Sequence, residues 1–294
     1  MTPRRHRTPP GVPLRRRAAV MALGVLLLLA LAVPAQAGRG LALLVGVGRF
    51  ADPALPDLTY AGQDVDMVRT WLADPLGGGF AQGDITVLRD GQATRTAVQA
   101  AIARLAAAAG PNDLVLLYFS SHGFYTQEQV VGIVCHDTHT TGAFSAQGSP
   151  IVDRSTALTR DDLYGFLRDL PARQRAVIVD ACHSAELTEP LDQALPGSLT
   201  AEDPPGWPSR VTLVLASCLE AQKAWESKEL GGSIFTYFLL EGLRANGGDL
   251  VGAFQHAKRQ TEQQAQCEKG WCQTPTIVML PADGRLLLRL GREG

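Results

Sequence analysis

The stretch LVLLYFS at residues 114–120 is a run of apolar and aromatic residues that passes directly into Ser121, His122 and Gly123. Continuous rather than alternating hydrophobicity is typical of a β-strand that is buried on both faces of a sheet. Runs of the same kind, rich in Val, Leu and Ile, recur along the chain and give six predicted strands in all. The other five runs are residues 41–47, 85–88, 176–181, 211–217 and 276–279.

Five segments with a helical pattern separate these strands. Thr159 with Asp162 forms a capping box, and Asp249 is a good N-cap. The alternation of strands and helices predicts an α/β fold with a mostly parallel six-stranded central sheet and helices on both faces. Residues 124–158 and the Pro-rich segment 185–210 show neither pattern and are predicted as loops. The helical segments are residues 61–72, 94–109, 159–170, 233–245 and 250–266.

The composition is that of an ordinary globular protein, with 46% hydrophobic residues, 19% charged residues and a formal net charge of −2. It is not that of a disordered chain. Because the charge is balanced, no basic face is implied and no nucleic-acid partner is expected.

The first 37 residues differ from the rest. An Arg-rich start precedes sixteen apolar residues, 18–33, and small residues follow at Ala35 and Ala37. This pattern predicts a secretory signal peptide over residues 1–37, cut after Ala37, and a secreted or periplasmic protein. The alternative is an uncleaved membrane anchor, although sixteen residues are short of the ~20 that a spanning helix needs. Residues 38–294 are predicted to form one domain.

All five cysteines lie beyond the predicted cut, where disulfides persist, and an odd number leaves one of them free. Cys267 and Cys272 are separated by four residues and are the candidate disulfide. Cys135 with Cys218 is a second possible pair.

Three predicted strands end on polar residues. In open α/β sheets the ligand site lies outside the carboxyl ends of the strands, so these residues are expected at one edge. The three endings are SSHG with His122, DACHS with Asp180, Cys182 and His183, and ASCLE with Ser217, Cys218 and Glu220.

A cysteine and a histidine at one sheet edge predict a nucleophile and its base. An imidazole can promote the thiolate or deliver a proton to a leaving amine. The N–H groups of Gly123 and Cys182 are candidate oxyanion donors, and a glycine at 123 would let a substrate carbonyl come close. His183 is a competing base, but on a continuing strand it points away from the side of Cys182, so His122 is preferred.

Two other motifs are weaker. GVGRFA at 46–51 matches the G-x-G-x-x-A pattern of dinucleotide sites, but Pro53 and Pro56 prevent a helix from starting on the glycines, and Asp64 and Asp66 fall on a predicted helix.

A possible zinc site at Cys135, His136 and His139 lacks a second ligand pair. No metal and no cofactor are therefore predicted.

The chain resembles the caspase-like cysteine peptidases of family C14, in particular the bacterial metacaspases. The resemblance rests on YFSSHG, VIVDACHS, ASCLEAQKAWE and GGSIFTYFLLEGL. It implies a three-layer caspase-like sandwich with a large-subunit-like part (38–184), a Pro-rich linker (185–210) and a small-subunit-like part (211–294). It also implies an endopeptidase that acts on protein or peptide substrates.

Carried over by position, the resemblance implies His122 and Cys182 as the catalytic dyad and Gly123 and Cys182 as the oxyanion hole. The acidic S1 pocket of metacaspases matches Asp64, Ser120 and Asp180, with Glu220 and Glu226 near its rim. Such a pocket prefers Arg or Lys at P1 by charge complementarity.

Cleavage after Asp is not expected, because Leu58 or Tyr60 stands where animal caspases carry the arginine that binds it. No acidic calcium-binding run is apparent, and calcium dependence stays open.

The linker contains no Lys or Arg before Arg210, so an enzyme specific for basic residues would work as a single uncut chain. Two other functions stay open. One is a non-catalytic caspase-fold module that binds peptides or partners. The other is a related peptidase with a different P1 choice, such as a legumain-like or gingipain-like enzyme.

Overall fold

The computed structural model describes residues 38–126, 128, 130–145, 148–188, 210–219, 222–281 and 285–289. The predicted signal peptide, Glu220 and most of the Pro-rich linker lie outside the described residues. In the described ranges, no helix is both long and apolar enough to cross a membrane.

The secondary structure alternates as predicted. The strands are β1 (Gly40–Gly46), β2 (Ile85–Arg89), β3 (Leu114–Ser120), β4 (Gly123–Tyr125), β5 (Val131–Ile133), β6 (Thr140–Phe144), β7 (Pro150–Val152), β8 (Leu158–Thr159), β9 (Gln174–Asp180), β10 (Val211–Ala216), β11 (Glu226–Ser227), β12 (Gly232–Ser233) and β13 (Thr276–Leu280). The α-helices are α1 (Ala61–Ala73), α2 (Arg95–Ala108), α3 (Arg160–Asp169), α4 (Ile234–Ala245) and α5 (Leu250–Lys269).

Six strands form the central sheet in the order β13-β10-β9-β3-β1-β2. All neighbours pair in parallel except β10 and β13, which are antiparallel. The six strands are the six continuous apolar runs of the sequence, so the predicted mostly parallel sheet is confirmed. The runs of the four inner strands, β1, β3, β9 and β10, are buried along their length because helices cover both faces of the sheet there.

Helices cover both faces of the sheet, which makes three layers. The apolar sides of α2 and α3 pack with side chains such as Leu43 and Leu117 on one face. The helices α1, α4 and α5 pack with Leu44 and Leu116 on the other face. Successive strand residues therefore enter opposite cores, as the two-residue period of a strand requires.

The two predicted helix starts are confirmed. Thr159 accepts a hydrogen bond from the backbone N–H of Asp162, and the Asp162 carboxylate accepts one from Thr159 in return. The Asp249 side chain accepts a hydrogen bond from the N–H of Val251 at the start of α5.

The prediction of a loop over residues 124–158 was wrong. This region holds a three-stranded sheet, β4-β5-β8, and a two-stranded sheet, β6-β7. These strands are two to five residues long and mix glycine with polar and apolar residues, so they carry no readable two-residue period.

Strands β3 and β9 are neighbours, and Ser120 pairs with Asp180 in their register. The segments that follow both strands therefore leave the sheet at the same point of its carboxyl edge.

Candidate active site

The segments after β3 and β9 lie in direct contact. The Ser121 N–H donates to the Asp180 carbonyl at 3.3 Å. A Cβ placed on Gly123 would lie 1.8 Å from the carbonyl oxygen of Cys182. The structure thus brings His122 and Gly123 beside Cys182. The sequence analysis explained Gly123 by the close approach of a substrate carbonyl. In the structure, the Cys182 main chain lies where a Cβ at position 123 would be.

The His122 ring is fixed by main chain and by an aromatic ring. Its Nε2 lies 2.7 Å from the Pro56 carbonyl oxygen, and the ring stacks on Phe50 with centroids 4.9 Å apart. Because a carbonyl oxygen only accepts, Nε2 carries the proton and Nδ1 of the neutral ring is left as a base. Burial lowers the pKa of His122, and the Pro56 carbonyl and the charge of Glu226 partly offset this.

The loop between β1 and α1 carries both groups that orient His122. One carboxylate oxygen of Asp90 accepts hydrogen bonds from the N–H groups of Gly48 and Arg49, each at 2.9 Å. The Leu58 N–H closes the loop on the Gly48 carbonyl at 3.0 Å. No helix begins between the end of β1 and Ala61, so the GVGRFA motif builds this loop rather than a dinucleotide site.

Cys182 is half-buried, and burial raises the pKa of its thiol. A hydrogen bond from the Ala224 backbone and the charge of Lys223 act in the opposite direction. With the thiol pKa raised and the imidazole pKa of His122 lowered, both groups are neutral near pH 7.

His183 has a left-handed backbone with a φ of 57°. The prediction about its direction assumed a continuing strand, but β9 ends at Asp180, so strand alternation does not apply to His183.

Two buried carboxylates lie at the same sheet edge as His122 and Cys182. Asp64, on α1, accepts hydrogen bonds from Ser120 Oγ at 2.9 Å, from the Ser233 N–H at 2.9 Å and from Ser233 Oγ. Asp180, at the end of β9, accepts from Thr236 Oγ1 at 2.6 Å and from the Thr236 N–H at 3.3 Å. Both of these bonds reach Asp180 Oδ2, and Oδ1 has no hydrogen-bond partner among the described residues.

Burial dominates the ionisation of this pair. It raises the pKa of Asp64 to about 7, and the charge of Asp180 adds to the effect. It raises the pKa of Asp180 to about 6 against the hydrogen bonds from Thr236. The pair is therefore fully ionised only above neutral pH, and it takes up its first proton close to pH 7.

The sequence model of the peptidase C14 family, the caspase domain, matches residues 39–281. The chain belongs to this family. No curated protein matches the sequence of this chain.

Solved structures share the fold of this caspase domain. A protein of Geobacter sulfurreducens is 20% identical, with a TM-score of 0.54, over 82% of this chain and 93% of that protein. Caspase-1 from Spodoptera frugiperda is 16% identical, with a TM-score of 0.58, over 88% of this chain and 92% of that protein. These likenesses confirm the predicted three-layer caspase-like sandwich.

The sequence analysis also assigned Ser120, Glu220 and Glu226 to the S1 pocket or its rim. Ser120 is buried and donates to Asp64, as described above. Glu226 accepts hydrogen bonds from the N–H groups of Tyr60 at 2.6 Å and Thr59 at 3.0 Å, so its carboxylate is bound at the start of α1. Glu220 lies outside the described residues.

The remaining cysteines of the caspase domain are free thiols in this structure. Cys267 and Cys272 are exposed, and a disulfide between them stays a prediction. Cys135 is buried in the core and Cys218 lies under the site, with Sγ 3.3 Å from the Ala181 carbonyl. Burial raises the pKa of both buried thiols to about 12.

No three His, Cys, Asp or Glu side chains are grouped to hold a metal ion in the described ranges.

Several residues of the site were missed by the sequence analysis. Phe50, Pro56 and Asp90 support His122, and Ser233 and Thr236 bind the carboxylates. One available signal was the pattern GGS at 231–233 directly before an apolar helical run, which marks a helix start.

Proposed function

We propose that this caspase domain is a cysteine endopeptidase that cleaves peptide bonds after Arg or Lys through Cys182 and His122. The observation that carries the proposal is the packing of His122 and Gly123 against Cys182 beside two buried carboxylates. A nucleophile, a base with a defined tautomer and an acidic pocket then lie at one edge of one sheet.

The dyad starts neutral and becomes charged only during the reaction. As Cys182 Sγ attacks the carbonyl carbon of the scissile bond, its proton passes to Nδ1 of His122. His122 then protonates the leaving amine as the C–N bond breaks, which leaves a thioester. Water, deprotonated by His122, hydrolyses the thioester and restores the thiol. The carbonyl of Pro56 stabilises the imidazolium through its bond to Nε2–H.

The oxyanion is assigned to the N–H groups of Gly123 and Cys182. The Val134 N–H donates to the His122 carbonyl at 2.9 Å, which makes Gly123 and Ile133 a non-hydrogen-bonded pair of the β4–β5 ladder. The Gly123 N–H therefore points away from β5 and is not used by that ladder. Donors of this kind act where charge develops in the transition state.

The P1 preference is assigned to Asp64 and Asp180. Asp64 already accepts three hydrogen bonds, and no group in the described part of the chain donates to Asp180 Oδ1. A guanidinium or ammonium group would supply the missing donor and neutralise a buried negative charge. A neutral P1 side chain would do neither.

Hydrolysis of fluorogenic peptides that carry Arg, Lys, Asp or Asn at P1 tests the proposal, with and without calcium. We expect turnover of the Arg and Lys peptides, reduced at least about a thousandfold in Cys182→Ala. Cys267→Ala, which removes an exposed thiol away from the site, is the matched control and retains activity.

Other outcomes would contradict the proposal in different ways. Preference for Asn or Asp would contradict the assignment of the acidic pocket and favour a legumain-like or caspase-type specificity. A folded protein that cleaves none of the peptides would favour the non-catalytic binding module. Efficient self-cleavage within residues 186–206, which contain no Lys or Arg, would contradict both the specificity and the single-chain form.

A further inference from the structure

The first turn of α4 contacts both buried carboxylates. Ser233, the N-cap residue, gives its N–H and its hydroxyl to Asp64. Thr236, three residues on, gives its N–H and its hydroxyl to Asp180. The N-terminus of a helix carries partial positive charge and unpaired N–H groups, so this turn supplies the donors that a buried carboxylate requires.

The chain before α4 is shaped for this contact. Gly231 has a φ of 65°, in the left-handed region. A Cβ on Gly232 would lie 2.9 Å from Asp64 Oδ1 and 2.6 Å from Met67 Cε, so any larger residue would have to displace the carboxylate or the Met67 side chain. Two glycines followed by a serine therefore place the Ser233 donors on Asp64.

A second chain of donors ends on Asp180. The Thr236 hydroxyl is buried and donates its proton to Asp180, so the Tyr118 hydroxyl, 2.7 Å from Thr236 Oγ1, is the donor in their bond. Burial raises the pKa of Tyr118 well above its usual value, which keeps the phenol protonated as a donor. The two linked hydrogen bonds, from Tyr118 to Thr236 and from Thr236 to Asp180, polarise each other and strengthen the bond to the carboxylate.

We infer that Ser233 and Thr236 are positioning residues that hold Asp64 and Asp180 in their ionised forms and thereby set the lowest pH at which the pocket accepts a basic P1 side chain. The inference rests on the proposed function only for the basic P1 side chain that the pocket would accept. The hydrogen bonds from Ser233 and Thr236 to the two carboxylates are observed independently of that function.

The other titratable groups near the pair are the partner aspartate, Tyr118 of β3, Glu226 of β11, and the thiols Cys182 and Cys218. The negative charges of the partner aspartate and Glu226 oppose ionisation. The phenol and the two thiols have raised pKa values and are neutral near pH 7. Among the described groups that affect the two aspartates, only hydrogen-bond donors favour the charged forms. The removal of one donor should therefore raise the pKa of the carboxyl it binds.

Thr236→Val tests the inference, because valine keeps the shape and removes the hydroxyl. We expect the acidic limb of the kcat/KM profile for a P1-Arg peptide to move up by about one pH unit. At pH 5 the loss should be about tenfold and should appear in KM, with kcat little changed. Thr236→Ser, which keeps the hydroxyl, should restore the wild-type profile.

Thr261→Val is the matched control. Thr261 is also fully buried, on α5, but none of the residues that the structure describes forms a hydrogen bond with its hydroxyl. The variant should leave the pH profile unchanged. A profile that moves equally in both variants would indicate a general effect on packing and would overturn the inference.

Urea denaturation at pH 5 and pH 8.5 gives a readout that needs no activity. A carboxyl whose pKa is raised by folding lowers the stability of the fold as the pH rises above the pKa of the unfolded chain. A variant that raises the folded-state pKa further lowers the stability at high pH by a larger amount. The Thr236→Val substitution should therefore raise the unfolding constant about tenfold more at pH 8.5 than at pH 5. Thr261→Val should show no such difference.

The two readouts separate two failures. A pH-dependent stability loss in a protein that cleaves no basic peptide would support the positioning role and contradict the proposed function. Equal losses at both pH values would overturn the positioning role, whatever the peptidase assay gives.

Discussion

The dyad and the carboxylate pair lie at one sheet edge but are held in different ways. His122 and Cys182 are half-buried, and one ring hydrogen bond and one stacking contact orient the imidazole. Asp64 and Asp180 are 0% and 3% exposed and accept five hydrogen bonds between them. The dyad is neutral near pH 7, so burial costs it little. The carboxylates carry charge, so each requires donors within the fold.

The largest effect is expected at Gly123, where its main chain packs against the main chain of Cys182. Gly123→Ala places a methyl group 1.8 Å from the Cys182 carbonyl, and neither backbone can yield without moving His122 away from Cys182. We expect the rate of peptide hydrolysis to fall more than about a hundredfold, since misplacements near 1 Å cost this much. Single-turnover kinetics would measure it.

Gly62→Ala is the control for that change. Gly62 lies within α1, and a Cβ there would have no neighbour within 4 Å. Alanine should raise helix stability by about 0.5–1 kcal/mol and leave activity unchanged. Wild-type activity in Gly123→Ala would show that the dyad tolerates a shift of its main chain, and the close packing of Gly123 on Cys182 would then not be what positions His122.

A smaller and more selective effect is expected at Asp180. Asp180→Asn keeps an oxygen for the Thr236 hydroxyl but removes the charge. The preference for a P1-Arg peptide over its neutral citrulline analogue should fall roughly 10–100-fold, the range for a hydrogen bond to a charged group. Hydrolysis of the citrulline peptide is the internal reference, and an unchanged preference would remove Asp180 from the pocket.

The same variant makes a prediction about stability with a definite sign. Folding raises the pKa of Asp180 to about 6, so the wild-type residue costs stability as pH rises from about 4 through 6. Asparagine removes this cost. The stability of Asp180→Asn relative to wild type should therefore improve between pH 5 and pH 8 in urea denaturation. A relative loss over that range would mean that folding lowers this pKa.

The sequence predicted the sheet and the meeting of His122 with Cys182 because both follow from local patterns and a topological rule. Apolar runs mark the strands, and parallel neighbours share a carboxyl edge. The supports of the site could not be predicted in this way. The contact of Pro56 with His122 joins residues 66 apart, and that of Ser233 with Asp64 joins residues 169 apart. No local pattern encodes such pairs, and a backbone carbonyl has no signature in sequence at all.

The smallest effect is expected from Asp90, which acts on the dyad only through the loop that carries Phe50 and Pro56. Asp90→Ala removes the acceptor of the Gly48 and Arg49 N–H groups, so the loop loses the side chain that fixes its start. The His122 ring should then spend less time in its working orientation. We expect kcat to fall about tenfold with KM little changed, because the acidic pocket is untouched.

Asp90→Asn separates this account from a simple loss of charge. Asparagine keeps an oxygen that accepts from both N–H groups, so it should retain most of the activity. If Asn lowered kcat as far as Ala does, the charge of Asp90 rather than its hydrogen bonds would matter, and the orientation of His122 would rest on Phe50 and Pro56 alone. If neither variant altered kcat, the imidazole would be held without the loop contact, and the dyad would be as rigid as the carboxylate pair beside it.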